Sequence, residues 1–176
     1  HECLDALRGD AGPASRAALL AAGEWLSTQI GSRFLVQKGL EVTWVDAREA
    51  LEVLPEEELS SARRWLSASC AAGADAALES LWSGLGPVLI TQGFIARSPE
   101  GRTALLGRGG SDTSAALLAG RLQAISLEIW TDVPGLFSWQ PGFEFLNLAK
   151  CTETLQFIIL DQRHTGRIIT SILEPV

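Results

Sequence analysis

A chain of 176 residues, 47% apolar, has the length and composition of one globular domain with a sizeable core. Its net charge of −7 and lack of a basic stripe argue against nucleic-acid or anionic-membrane partners, and no run approaches the roughly 18 consecutive apolar residues of a membrane span. Cys3, Cys70 and Cys151 are odd in number and far apart, with no CxxC pair, which reads as a reduced, cytoplasmic set and not as a disulfide framework or a zinc site.

The first ten residues, HECLDALRGD, lack the basic-then-apolar order of a signal peptide, and the absence of Met even at position 1 reads as a fragment or a processed start. Residues 12–30 form the first long helical pattern, with Leu19, Leu20, Gly23, Leu26 and Ile30 at helical spacing. Within it, Glu24 reads from the residues alone as one more solvated carboxylate. Residues 40–45 (LEVTWV) alternate and are β-branched, predicting a strand that Asp46 and Ala47 end. Pro55 and the acidic run behind it open a helix predicted over 55–66, and a second Ala-rich helix is predicted over 71–82. Residues 88–96 (VLITQGFIA) are an apolar run of strand length, and 97–101 a hairpin loop leading into 102–106.

The stretch 103–119 (TALLGRGGSDTSAALLA) reads as a short strand, a turn of Gly107, Arg108, Gly109 and Gly110, and a helix that Ser111 or Asp112 caps. Glycines before a helix start let the backbone approach an anion, helped by the helix dipole and by Arg108; the competing reading is a tight turn with nothing bound. Residues 127–131 (LEIWT) form another buried-type strand. Strands alternating with helices predict an α/β layer fold with a mainly parallel sheet, whose ligands bind beyond the carboxyl ends of the strands. Three loops qualify: the turn at Arg108, the loop after Thr131, and Gln92-Gly93. Asp132 is either a carboxylate for ribose or a metal-bound phosphate, or a turn residue before Val133-Pro134-Gly135.

From about Ser138 the composition changes: residues 1–124 hold 22 alanines, and the following 52 hold one, Ala149. Residues 155–160 and 167–173 read as two strands joined by a hairpin loop at 161–166, in which His164 is a solvent-facing turn residue sooner than a catalyst. The organisation expected is therefore residues 1–137 as one unit and 138–176 as a divergent tail.

Three blocks, VLITQGFIA, GRTALLGRGGSDTSAALLAGRLQA and EIWTDVPGLF, strongly resemble the catalytic domain of aspartate kinases, in the amino acid kinase superfamily, in order and without gaps over residues 88–137. GEWLST resembles that family's GELMS-type segment and WVDAREAL its following strand and turn, and the wording looks most like the kinase half of a bifunctional aspartate kinase/diaminopimelate decarboxylase. The resemblance implies an incomplete αβα sandwich, here expected to have 88–95 and 127–131 as neighbouring central strands. It also implies transfer of the γ-phosphoryl group of MgATP to the side-chain carboxylate of L-aspartate in cytoplasmic lysine, threonine and methionine biosynthesis, with a homo-oligomer among the expected partners. By match, Glu24 would hold the substrate ammonium and Arg108 a substrate carboxylate. Gly109, Gly110 and Ser111 would approach substrate and phosphoryl group, and Asp112 would order the catalytic centre. Thr131, Asp132 and Phe137 would line the nucleotide pocket. The family's KFGGTS-type loop, TADPR-type arginine and GAKVLHP-type segment find no match here, which implies a truncated domain lacking part of the active site and unable to phosphorylate aspartate alone. The alternative class is a non-catalytic kinase-like module that binds a small anion or a protein partner; acetylglutamate and uridylate kinases share the fold but match GRGGSD less well.

Overall fold

The computed structural model describes residues 12–55, 60–130, 156–162 and 166–172. Helix α1 (Pro13–Gln37) starts on a proline, whose missing N–H costs nothing in the first turn. It continues past the predicted end at residue 30 and stops where Gly39 takes φ +84° and Gly39 and Leu40 donate to Val36 and Leu35 carbonyls. Its buried face inverts the expected one. Ser15, Ala17, Ala18, Ala21, Glu24, Thr28 and Ser32 face inward, while Leu26 and Ile30 are 64% and 65% exposed and Leu19, Leu20 and Phe34 are exposed as well. Small side chains let the helix axis approach the strands closely: Ala17 and Ala21 pack with Ala47, Ile95 and Leu105.

Strand β1 (Thr43–Trp44) is followed by a 3-10 turn at Ala47–Glu49, capped by the Asp46 carboxylate, which accepts from Arg48 N–H at 3.0 Å. Helix α2 (Ser61–Leu66) begins later than the predicted residue 55 and is capped by Ser60; the acidic run predicted to open it, Glu56, Glu57 and Glu58, lies outside the described residues. Helix α3 (Ala76–Ser83) begins later than predicted because Asp75 caps it, accepting from Leu78 N–H at 3.0 Å. Then come β2 (Val88–Gln92), β3 (Ile95–Arg97), β4 (Thr103–Leu105), α4 (Gly110–Arg121), β5 (Ser126–Trp130), β6 (Gln156–Gln162) and β7 (Gly166–Ile172).

The five-stranded sheet has the order β1-β2-β7-β6-β5, and β3 and β4 form a separate antiparallel pair across the predicted 97–101 loop. β1, β2 and β7 pair in parallel while β6 opposes both of its neighbours, so four strands point one way and the sheet is mainly parallel. The expectation that 88–95 and 127–131 are neighbours is not met: β7 lies beside β2, with Leu89 opposite Ile168, and β5 ends the sheet beside β6. Residues 127–131, expected as a buried-type central strand, thus give the edge strand, with Leu127 exposed: an apolar run names neither a strand's partner nor its rank in the sheet, and β6 and β7 take the inner positions.

Alternate residues of β2 serve opposite faces. Leu89 joins Leu78, Trp82, Leu118 and Leu122 in the core beneath α3 and α4. On the other face lies α1, where Trp44, in register with Ile90, donates its indole N–H to Thr28 at 3.0 Å. The two helical layers make the α/β sandwich.

Asp75 also pairs with Arg121, joining the start of α3 to the end of α4. The Leu78 N–H bond, and after it the Arg121 charge, hold the Asp75 carboxyl below its ordinary range. A depressed folded value means the contribution is complete above the unfolded pKa of about 3.9 and is lost as pH falls through the folded value. Asp75→Asn keeps a competent cap and removes the charge. Its urea midpoint is expected to lie below wild type at pH 7, with the gap closing below about pH 4. A gap of constant size across that range would rule out an ionic contribution.

Candidate functional site

The carboxyl ends of β1, β2, β7 and β5 lie on one side of the sheet, where open α/β folds bind their ligands. From β4 the chain passes Gly107 (φ +79°), Arg108 and Gly109 (φ +68°) before α4 begins at Gly110. Gly110 N–H donates to Gly107 carbonyl at 2.9 Å, and a positive φ at the third residue makes this a type II turn. Gly107 is also needed for space: an added Cβ would stand 2.7 Å from Ser67 Oγ. Gly109 is the N-cap, and no side chain caps the helix. Ser111 and Asp112, expected as caps, lie inside the first turn, because the left-handed glycine leads directly into helical geometry. Ser111 and Gly110 are buried, whereas Arg108, Gly109 and Asp112 are exposed. A helix N-terminus without a side-chain cap, beside a solvent-facing guanidinium, is suited to an anion.

A second wall comes from the end of β2. The run 88–96 is not one strand: β2 stops at Gln92 and β3 begins at Ile95, in the other sheet. Between them Ile95 N–H donates to Gly93 carbonyl at 2.8 Å across Phe94, whose φ is +67°, a tight γ-turn. Gly93 is pressed against α4, since an added Cβ would lie 3.1 Å from Ser111 Cβ. Ser114 Oγ accepts from Phe94 N–H at 3.1 Å and donates to Ser111 carbonyl at 2.7 Å. Gln92 is fully buried, and its Oε1 accepts from Ala47 N–H at 2.7 Å, tying the end of β2 to the turn after β1.

Glu24 is 3% exposed, so the reading of a solvated carboxylate is overturned. Burying a carboxylate is costly unless cations or donors meet it, which makes this position chemically marked. Its helical turn is firmly held. The Thr28 hydroxyl donates to Glu24 carbonyl at 2.8 Å, and Trp25 packs edge-on to Trp44 with ring centroids 5.1 Å apart. The Arg48 guanidinium lies 5.3 Å from the Trp25 ring centre, contacts both Asp46 carboxylate oxygens, and donates to Thr103 Oγ1 at 3.0 Å. Arg48 and Phe94 were not singled out from sequence. An Asp-x-Arg after a strand is a weak signal for the first, and only the neighbouring Gly93 hinted at the second.

The structure thus brings Gly109, Gly110 and Ser111 against Gly93-Phe94, with Arg108 and Asp112 flanking them. Glu24 stands on α1, which packs on β4, the strand that runs into the turn. Thr131, Asp132 and Phe137 lie outside the described residues, as do Cys3, Cys151 and His164. A cavity of about 330 Å³ lies elsewhere, lined by residues of 53–69 and 98–100 that include Trp65 and Glu100, and by none of the candidate residues. Cys70 is a free thiol that burial pushes up to about 11, away from nucleophilic use. Among the described residues no group of three or more His, Cys, Asp or Glu side chains could hold a metal ion, and no helix is long and apolar enough to cross a membrane.

A profile of the amino acid kinase family matches residues 4–162. The chain is 38% identical over 145 residues to lysine-sensitive aspartokinase 3 of Escherichia coli (strain K12), covering 82% of this chain and 31% of that protein. It is 28% identical over 151 residues to the aspartokinase of Chlamydia muridarum, covering 84% of this chain and again 31% of the relative. The chain therefore spans about a third of the length of these relatives. Among solved structures, E. coli aspartokinase III in complex with aspartate and ADP (R-state) superposes with a TM-score of 0.55 at 33% identity, over 70% of this chain and 26% of that one. The same enzyme with lysine and aspartate (T-state) gives 0.55 at 35% identity, over 70% and 27%.

Proposed function

This chain belongs to the amino acid kinase family and is homologous to aspartokinases, and on that premise we propose that its glycine turn and Glu24 bind L-aspartate as acceptor of the γ-phosphoryl group of ATP. One observation supports this reading above the others. A buried carboxylate stands on α1, which packs on β4, and β4 runs into the glycine turn that carries a solvent-facing arginine beside the carboxyl end of β2. An α-amino acid needs both signs of charge. Arg108 grips a substrate carboxylate as a planar fork, and Glu24 takes the ammonium. Gly109 and Gly110 let backbone N–H groups approach the acceptor carboxylate and the transferring phosphoryl group, the Ser111 hydroxyl joins them, and Asp112 orders the centre. Thr131, Asp132 and Phe137 line the nucleotide pocket.

Bound MgATP supplies the phosphoryl group and the metal charge that neutralises it. A magnesium ion arriving with phosphates needs only one or two protein carboxylates, and Asp112, exposed in the first turn of α4, is of the right kind. In this reading residues 1–137 carry the catalytic part, 138–176 are a divergent tail, and the protein works in the cytoplasm in lysine biosynthesis, with a homo-oligomer as the expected assembly. Calorimetric titration of the 176-residue chain with L-aspartate tests it. Saturable binding is expected. None at concentrations well above the roughly 1 mM upper range of enzyme KM values would contradict the reading.

A further inference from the structure

Phe94 carries the most unusual backbone in the site. A phenylalanine at φ +67° in a γ-turn is rare and strained, and glycine would adopt the same conformation freely. The surroundings over-determine it. Phe94 N–H is held by Ser114 of α4, and its carbonyl accepts from Leu106 N–H at 2.9 Å, just before the glycine turn. Its ring meets the first residue of α4 so closely that a Cβ added at Gly110 would stand 2.6 Å from Phe94 Cδ2. Phe94 also packs against the cluster of Ala17, Ala21, Ala47, Ile95 and Leu105, to which α1 contributes Ala17 and Ala21. Phe94 therefore links the turn that carries Arg108 to the core cluster in which α1, the helix of Glu24, takes part.

From this we propose that Phe94 is a positioning residue, a wedge whose ring fixes the first turn of α4 relative to α1 and so sets the placement of the Gly109–Ser111 N–H groups and of Arg108. The strain persists because the ring is required there; an unstrained glycine would satisfy the γ-turn but leave Gly110 without its support. The inference rests on the reading of this turn as the aspartate site, but its mechanical part does not need a ligand.

The test uses three substitutions in the 176-residue chain. Phe94→Ala removes the ring. Phe94→Gly removes the ring and relieves the backbone. Phe94→Leu retains Cδ atoms to press on Gly110. Amide exchange at Gly110 and Thr113, whose N–H groups bond to the Gly107 and Gly109 carbonyls, is expected to accelerate about tenfold in the Ala and Gly variants, with L-aspartate affinity falling about tenfold, while Leu stays within about threefold of wild type. The Gly variant should unfold no earlier than the Ala variant, because glycine adopts the positive φ without strain. The same contact is probed from its other side, should either variant fold poorly. Gly110→Ala should weaken aspartate binding in the wild-type background and restore part of it when combined with Phe94→Ala. Phe94→Gly with wild-type exchange at Gly110 and Thr113 and wild-type affinity would overturn the proposal. Altered exchange in a chain whose wild type binds no aspartate would uphold the wedge and remove the aspartate reading instead.

Discussion

Arg108→Ala is expected to weaken L-aspartate binding by about 10²-fold while leaving the unfolding midpoint at the wild-type value. A bidentate guanidinium–carboxylate pair contributes charge-assisted hydrogen bonds of about 1.5–3 kcal/mol each, and each 1.4 kcal/mol is a factor of ten in affinity. Arg108 is exposed, and substitutions at such positions usually change stability by no more than about 0.5 kcal/mol. The two readouts therefore separate cleanly. Arg108→Lys keeps the charge but not the planar fork, so it should recover only part of the affinity. Calorimetry paired with urea unfolding checks both. An Arg108→Ala chain that binds aspartate as well as wild type would remove this residue from the site.

Trp82→Ala should cost about 3–5 kcal/mol, a large share of the stability of a domain of this size. Trp82 is fully buried at the centre of the cluster with Leu78, Leu89, Leu118 and Leu122, so its deletion opens a cavity between α3, α4 and β2. The indole brings a penalty of its own, because its Nε1 is buried with no hydrogen-bond partner among the described residues. Trp82→Phe loses some volume but also removes that orphaned donor, whose burial costs about 1–3 kcal/mol. It should therefore lie within about 1 kcal/mol of wild type. Urea unfolding of the three chains decides the matter. A loss for Trp82→Phe well above about 1 kcal/mol would contradict an unpartnered indole donor.

Elements whose identity is set locally were legible in the sequence. The glycine turn ahead of α4, the 97–101 loop, the β6–β7 hairpin and the mainly parallel sheet all follow from backbone preferences and apolar runs. The inward face of α1 was not. Counting large apolar residues selects Leu19, Leu26 and Ile30, whereas close approach to strands selects Ala17, Ala21 and Thr28. The neighbour of β2 was not legible either, since pairing depends on which strands compete for the sheet. In the site, Arg108 and the glycines announced themselves by turn chemistry. Glu24 did not: its burial is a tertiary fact, and the residue was singled out only through the resemblance of GEWLST. Phe94 was missed because its strain is imposed by Ser114, Leu106 and Gly110, residues distant in the chain, and no local preference calls for a phenylalanine in a γ-turn.

The most direct measurement of the central claim removes the same charge from ligand and protein in turn. Succinate is aspartate without its ammonium, and Glu24→Gln is the nearest neutral replacement for the buried carboxylate. If Glu24 holds the ammonium, the wild-type chain prefers L-aspartate over succinate by about 10²-fold, and in Glu24→Gln that preference shrinks to within about threefold, a coupling of roughly 2 kcal/mol. Calorimetric titrations of both ligands into both chains give the four numbers. An undiminished preference for aspartate in Glu24→Gln would contradict the account, because the ammonium would then be held by another group.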